Sequence, residues 1–208
     1  MKKLIRYLSP FQWAEIIAVT GFTIYFAVID KSTPLIYNII SAAAAICGIF
    51  CVVICAAGKK SQYYWGFANI IAYIIVSWQN KFFGEVMLNA LYYFPSQFVG
   101  LYLWKKNYNE SCEQVNGKKM KPAALILMLS ATGLGIVLYK ELLAWLGGSS
   151  AWLDSTSTVI SITANALMIT RYREQWILWI IVDAVTVIPE SAKLNPRSTI
   201  QNSVNMVK

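Results

Sequence analysis

The stretch "QYYWGFANIIAY", residues 62–73, has an echo at "EQWILWIIVDAV", residues 174–185, and the two together set the organisation of the chain. A shift of 114 places Trp65 on Trp179 and Asn69 on Asp183, each a tryptophan followed four residues later by a polar group in apolar surroundings. Four residues is a little over one helical turn, so each pair shares a helix face. Both stretches lie in windows of about 20 apolar residues, the length that crosses a ~30 Å hydrocarbon layer at ~1.5 Å per residue. Seven such spans are expected, near 12–29, 36–57, 62–79, 83–104, 122–146, 151–170 and 174–188. The fold class is therefore an all-α integral membrane protein, a polytopic helix bundle with parallel three-helix repeats.

Composition agrees. The 208 residues are 57% hydrophobic and 13% charged, with mean hydropathy +0.50, more apolar surface than one soluble core of this size buries. Lys2, Lys3 and Arg6 precede a segment without a small-x-small cleavage site, so it is read as an anchor and not as a signal peptide. A net charge of +8 raises the question of nucleic acid. With seven spans, 12 cations (2, 3, 6, 59, 60, 105, 106, 118, 119, 121, 171 and 173) fall on one side and 3 (Lys31, Lys81 and Lys140) on the other. That bias is the positive-inside pattern, which puts the N-terminus in the cytoplasm and argues against a nucleic-acid partner.

The chain has no histidine, which removes the commonest zinc ligand and general base. Cys47, Cys51 and Cys55 form a stripe on the second span and read as small packing residues, so no metal site is expected. Cys112 is expected as a free thiol in a loop.

The long polar connection "KKNYNESCEQVNGKKMK", 105–121, has the composition of a solvated linker and marks the halfway point. An even number of spans separates the repeat copies, so they run in the same direction through the membrane. Residues 36–104 make the first repeat and 151–188 an incomplete second one. The repeat calls for an eighth helix resembling span four, whereas 189–208 are polar, carry Pro189 and Pro196, and are expected to be disordered. A truncated or frame-altered C-terminus is the expectation this raises.

Polar side chains within hydrocarbon are costly and point to function. Asn69 and Asp183 lie roughly 14–15 Å from the flanking cations Lys60 and Arg173, while Asn89 and Gln97 lie about 12 Å from Lys81 and Lys105. All four approach the midplane. Trp65 and Asn69 share one face, Asn89, Tyr93 and Gln97 a second, and Trp176, Trp179 and Asp183 a third. These eight are the candidate substrate-binding residues. The alternative is that the amides only fasten helices. Pro95 removes one backbone bond from span four and frees the carbonyl near Leu91.

At "FGEVMLNALYYFPSQFVGLYLW" and "REQWILWIIVDAVTVI" the chain resembles the PnuC-type vitamin and vitamin-precursor transporters, best known for nicotinamide riboside. The resemblance runs from about 12 to 188 and includes an N-x7-Q element, Asn89 and Gln97, and a W-x2-W-x3-D element, Trp176, Trp179 and Asp183. It implies a 3+1+3 core similar to the SWEET fold, with 12–29 as an extra N-terminal helix and a linker helix within 105–146. It also implies facilitated diffusion by alternating access in a bacterial inner membrane, with no cofactor, coupled ion or enzymatic activity, and a substrate trapped by cytosolic phosphorylation. Thiamine or another vitamin precursor is the alternative substrate, and a non-transporting scaffold the alternative function. Expected partners are the small-molecule substrate nicotinamide riboside and membrane lipid, with a homo-oligomer left open. The chemistry suits a pyridinium cation, which tryptophan faces attract by about 0.5–2 kcal/mol, with amides for its carboxamide and hydroxyls and Asp183 as counter-charge.

Overall fold

A computed structural model describes residues 8–31, 33–145 and 151–193, without the side chains of 151 and 188–193. It divides the chain, expected as a single domain, into two compact units, 1–117 and 118–208. The division falls inside the connection 105–121.

The first unit opens with α1 (Pro10–Ile29), started by a capping box in which Ser9 Oγ accepts from Gln12 N–H at 3.3 Å and Gln12 Oε1 accepts from Ser9 N–H at 2.8 Å. Pro10 sits at the first helical position, where its missing N–H costs nothing. Ile16 is the one described α1 residue that is fully buried, and Phe11, Ile17, Phe22, Phe26 and Val28 are exposed, a surface suited to lipid. α2 (Leu35–Ala56) and α3 (Gln62–Gln79) pack side by side. Asn38 on α2 donates to Asp30 O at 2.8 Å and closes the α1–α2 turn.

Span four is three pieces: α4 (Phe83–Leu88), a π-helical turn (Asn89–Tyr93) and α5 (Phe94–Lys106). Proline lacks the N–H that would continue the α pattern, and the π turn lies immediately before Pro95, with Phe94 N–H reaching back to Asn89 O. Ser96 Oγ donates to Tyr93 O at 2.8 Å and satisfies one carbonyl of the disturbed turn.

In the second unit α6 (Pro122–Trp145), α7 (Ala151–Ile169) and α8 (Gln175–Lys193) pack in sequence. Ile160, Ala164 and Leu167 of α7 meet Leu178 and Val182 of α8 in its core. α8 continues through Pro189 to Lys193, past the expected end at Ile188, so the first residues of the expected disordered tail are helical. Residues 194–208 lie outside the described residues, and with them the rest of that expectation. Among the described residues, α1, α2 and α6 are each long and apolar enough to cross a membrane by themselves. Most of the buried amides lie on the other helices, α3, α4–α5, α7 and α8, with Asn38 on α2 the exception.

The connection departs from a plain linker. β1 (Tyr108–Asn109) and β2 (Gln114–Val115) form a small antiparallel hairpin. Asn109 Oδ1 accepts from Ser111 N–H at 2.9 Å at its tip. Lys59 Nζ pairs with Glu113 at 3.3 Å and Lys60 Nζ with Glu110 at 3.1 Å, and Lys60 also lies 4.1 Å from the Tyr108 ring centre. The polar composition was read correctly; the pairing of its acids with the α2–α3 turn depends on long-range contacts that composition does not reveal.

Those turns also correct the repeat register. Lys59 N–H bonds Ile54 O and Gly58 N–H bonds Cys55 O, while Tyr172 N–H bonds Leu167 O and Arg171 N–H bonds Met168 O. Both are Schellman-type helix ends, with Gly58 and Arg171 each at φ +69°. Tyr63 N–H to Lys60 O and Tyr64 N–H to Ser61 O recur as Trp176 N–H to Arg173 O and Ile177 N–H to Glu174 O. Every one of these pairs is 113 apart, and so are the helix starts Gln62 and Gln175. The expected shift of 114 is therefore one residue too long for this hairpin. One residue is about 100° on a helix. The backbone counterpart of Asn69 is Val182, which is buried, and that of Asp183 is Ile70. The carbonyls of Gly58 and Arg171 each accept a backbone N–H from the connection, Val115 at 2.8 Å in the first unit and Lys118 at 2.7 Å in the second.

The exposed Lys60–Glu110 pair contributes about 0–1 kcal/mol, whereas Glu113 partners the buried Lys59, so Glu110→Ala with Glu113→Ala should lower the melting temperature modestly, mainly through Glu113. It should also speed tryptic cleavage within 105–121, because the side chains of Lys105, Lys106, Lys118 and Lys119 are already exposed and opening of the hairpin frees the backbone beside them to enter the protease. Equal cleavage rates in the variant and the parent protein would show that the acids do not hold the loop.

Candidate functional site

The structure divides the eight candidate residues between its units. In the first, Asn69 Nδ2 donates to Ala44 O on α2 at 2.8 Å. Gly48, one turn on, makes room for it, since a Cβ there would lie 3.1 Å from that nitrogen. Trp65 stacks on Phe50 with ring centres 4.4 Å apart and packs against the cluster of Ile16, Val53 and Ile54. One of its faces is thus already occupied by protein.

Asn89 opens the π turn, is buried, and donates from Nδ2 to Glu85 O on its own helix at 2.8 Å. Tyr93, half-buried, closes the π turn and packs edge-on to Tyr92 at 5.2 Å. Gln97 is 6% exposed, and its Oε1 is buried without a hydrogen-bond partner. A bare carbonyl oxygen at that depth costs about 1–3 kcal/mol, so it marks a place where a donor is wanted. The π turn puts Asn89, Tyr93 and Gln97 on a helix whose pitch differs from the regular one, so their shared face is not that of an ideal 3.6-residue repeat.

Two further residues at the start of α3, outside the eight candidates, also bring polar groups into the interior. Gln62 and Tyr63 are completely buried, and no well-formed hydrogen bond reaches Gln62 Nε2 or Tyr63 OH, although the Gln62 side chain lies within reach of the phenol. Gln62 Oε1 accepts a weak bond from Cys51 Sγ at 3.5 Å, which gives one member of the cysteine stripe a packing role.

In the second unit, Trp179 packs half-buried against the α7–α8 core and Trp176 is half-buried one turn earlier. Asp183 is exposed within its unit, and its carbonyl accepts from Thr186 Oγ1 at 3.0 Å. Burial of this carboxylate, expected from its mid-span position, is not seen within the unit. Gln175 is buried with an unpartnered Oε1, and Glu174 holds Met120 N–H at 2.8 Å through Oε1 while its Oε2 is bare. Asn165, also buried, sits in the C-terminal part of α7. The missed glutamines did leave a signal: "KSQY" at 60–63 and "REQW" at 173–176 share a cation, a spacer, a glutamine and an aromatic. Both lie at helix starts, away from the mid-span depth that selects the eight candidates.

Among the described residues no group of His, Cys, Asp or Glu is clustered to hold a metal. A groove of about 850 Å³ lies between α1 and α2, lined by Ile24, Asp30, Lys31, Asn38, Ala43 and others, and none of the eight candidates lines it.

Helices of this apolarity, interrupted by buried amides and a π turn, define a multi-pass helical membrane protein. The family model described as nicotinamide mononucleotide transporter matches residues 38–207. The chain belongs to this family. It is 40% identical over 152 residues to the nicotinamide riboside transporter PnuC of Neisseria mucosa, covering 71% of this chain and 58% of that one. The Haemophilus influenzae protein of the same name is 40% identical over 139 residues, covering 66% of this chain and 62% of that one. The chain thus spans about three fifths of the length of these two relatives. A solved structure, the crystal structure of the vitamin B3 transporter PnuC, aligns with TM-score 0.74 at 36% identity, covering 86% of this chain and 76% of the other.

Proposed function

We propose that the chain is a passive carrier, not an enzyme, which takes up nicotinamide riboside across a bacterial inner membrane by alternating access. The observation that carries the reading is the buried, unpartnered amide oxygen of Gln97 in a chain whose relatives bear the name nicotinamide riboside transporter. Gln97, Asn89, Tyr93 and Asn69 are proposed to bind the polar edge of the substrate, and Trp65 to offer its free face to the ring. Trp176 and Trp179 offer rings to the pyridinium, and Asp183 its counter-charge. A 3+1+3 arrangement with α1 as the extra helix and α6 as the linker, and a cytoplasmic N-terminus, complete the proposal. The hairpins that repeat at 113 support a duplicated architecture.

A second reading, with the amides as helix fasteners, is favoured by the bonds of Asn69 to Ala44 O and Asn89 to Glu85 O. Calorimetry separates the two. A folded protein that gives no heat with nicotinamide riboside, thiamine or riboflavin is a scaffold.

Asp183→Asn removes a full charge from an exposed position of α8, so folding should be little affected. Affinity for cationic nicotinamide riboside should fall by about 1–2 kcal/mol, while a neutral nicotinamide analogue loses less. Equal losses for both ligands would remove Asp183 as the counter-charge.

A further inference from the structure

Two contacts between α3 and α5 are reciprocal. A Cβ on Gly100 of α5 would meet the ring of Tyr63 on α3, and a Cβ on Gly66 of α3 would meet the amide of Gln97 on α5. On each helix the large residue precedes the glycine by three, and this shared order sets Tyr63 opposite Gly100 and Gly66 opposite Gln97, as antiparallel neighbours require. Each helix therefore supplies a glycine notch for the side chain of the other.

The two notches hold different things. At Gly100 the occupant is an aromatic ring. At Gly66 it is a planar amide lying across the backbone, with all three of its outer atoms near the position a Cβ would take: Oε1 at 2.8 Å, Cδ at 3.2 Å and Nε2 at 3.3 Å. Real Cβ atoms essentially never approach another heavy atom to 2.8 Å, so any side chain at 66 must displace the amide. The amide has little room to yield, because Gln97 is 6% exposed and Gly66 is itself buried. Its Oε1 has no hydrogen bond of its own to set its direction. The direction of that acceptor is thus fixed by packing, and the packing surface is the bare backbone of Gly66.

We propose that Gly66 is a positioning residue: it aims the Gln97 carbonyl oxygen at a donor group of the carried solute. This rests on the reading of Gln97 as a substrate ligand and extends it to a residue without a side chain. A displacement of the amide by the width of a methyl group changes both the distance and the angle of its hydrogen bond, and such bonds weaken steeply with misalignment.

The test is a cycle of four proteins, parent, Gly66→Ala, Gln97→Ala and the double variant, with nicotinamide riboside affinity read by calorimetry and melting temperature alongside. Gly66→Ala alone should weaken affinity by about tenfold and lower the melting temperature. With the amide removed, in the Gln97→Ala background, the alanine at 66 should change neither affinity nor melting temperature further. The double variant has space where the single one has a clash, so it folds even if Gly66→Ala does not. A Gly66→Ala loss of the same size in both backgrounds would overturn the proposal, as would unchanged affinity in Gly66→Ala. If the parent protein binds no nicotinamide riboside, the substrate reading fails by itself. The melting temperatures then decide the notch: equal losses in both backgrounds show that Gly66 does not seat the amide.

Discussion

Replacing Gln97 with methionine should weaken nicotinamide riboside binding by at least about tenfold while leaving the melting temperature unchanged or higher. The two effects have opposite signs because they come from the same atom. In the folded protein Gln97 Oε1 is buried without a partner, so deleting it relieves a desolvation cost of about 1–3 kcal/mol. Methionine has nearly the same length and volume and no strong acceptor, so packing on Gly66 is kept. In the complex the same deletion leaves a substrate donor unpaired. A helix fastener behaves in the opposite way, since its loss lowers stability and leaves affinity intact. Thermal unfolding and calorimetry on one preparation distinguish them, and a lower melting temperature with unchanged affinity would identify Gln97 as a fastener.

Gly100→Val should strongly destabilise the first unit. A Cβ at Gly100 would fall well inside contact distance of the Tyr63 ring, and Tyr63 is completely buried against Trp104, with ring centres 5.4 Å apart. The ring cannot retreat without opening the α3–α5 seam. Overpacking of this kind costs about 1–3 kcal/mol and often more when the neighbour is rigid. The check is loss of the monodisperse folded fraction in detergent, or a fall of several degrees in melting temperature. Tyr63→Ala in the same protein should recover part of it, because it vacates the notch. Stability equal to the parent's would mean that α5 has another way to pack on α3.

Much of this fold was written in the sequence. Apolar windows between charged loops locate helices because lipid leaves the backbone no partner except itself. The capping box at Ser9 and the prolines at 10 and 122 fix helix starts by local chemistry, legible without any tertiary knowledge. What was not legible depended on pairing. The one-residue error in the repeat arose because Trp65 and Trp179 match by identity, whereas the backbone match follows the hydrogen bonds of the turns and the buried glutamines beside them. The connection looked like solvated linker because the partners of Glu110 and Glu113 lie some 50 residues away in sequence.

The candidate residues were legible as polar groups within apolar spans, and their partners were not. Asn89 and Gln97 were found because amides within hydrocarbon stand out, and both are buried. Asn69 was found for the same reason, yet its side chain spends its donor on Ala44 O. Trp65 was chosen as a stacking face, and Phe50 already covers one side of its ring. Gly66 carries no chemical group and could not have been selected from sequence; only its distance to the Gln97 amide gives it a role.

The central claim is passive transport of nicotinamide riboside, and uptake of the labelled compound into liposomes containing the purified protein tests it most directly. The account predicts saturable entry that stops when inside and outside concentrations are equal, with the same initial rate with or without a proton or sodium gradient. Entry no faster than into empty liposomes, or accumulation against a gradient that an uncoupler abolishes, would contradict it.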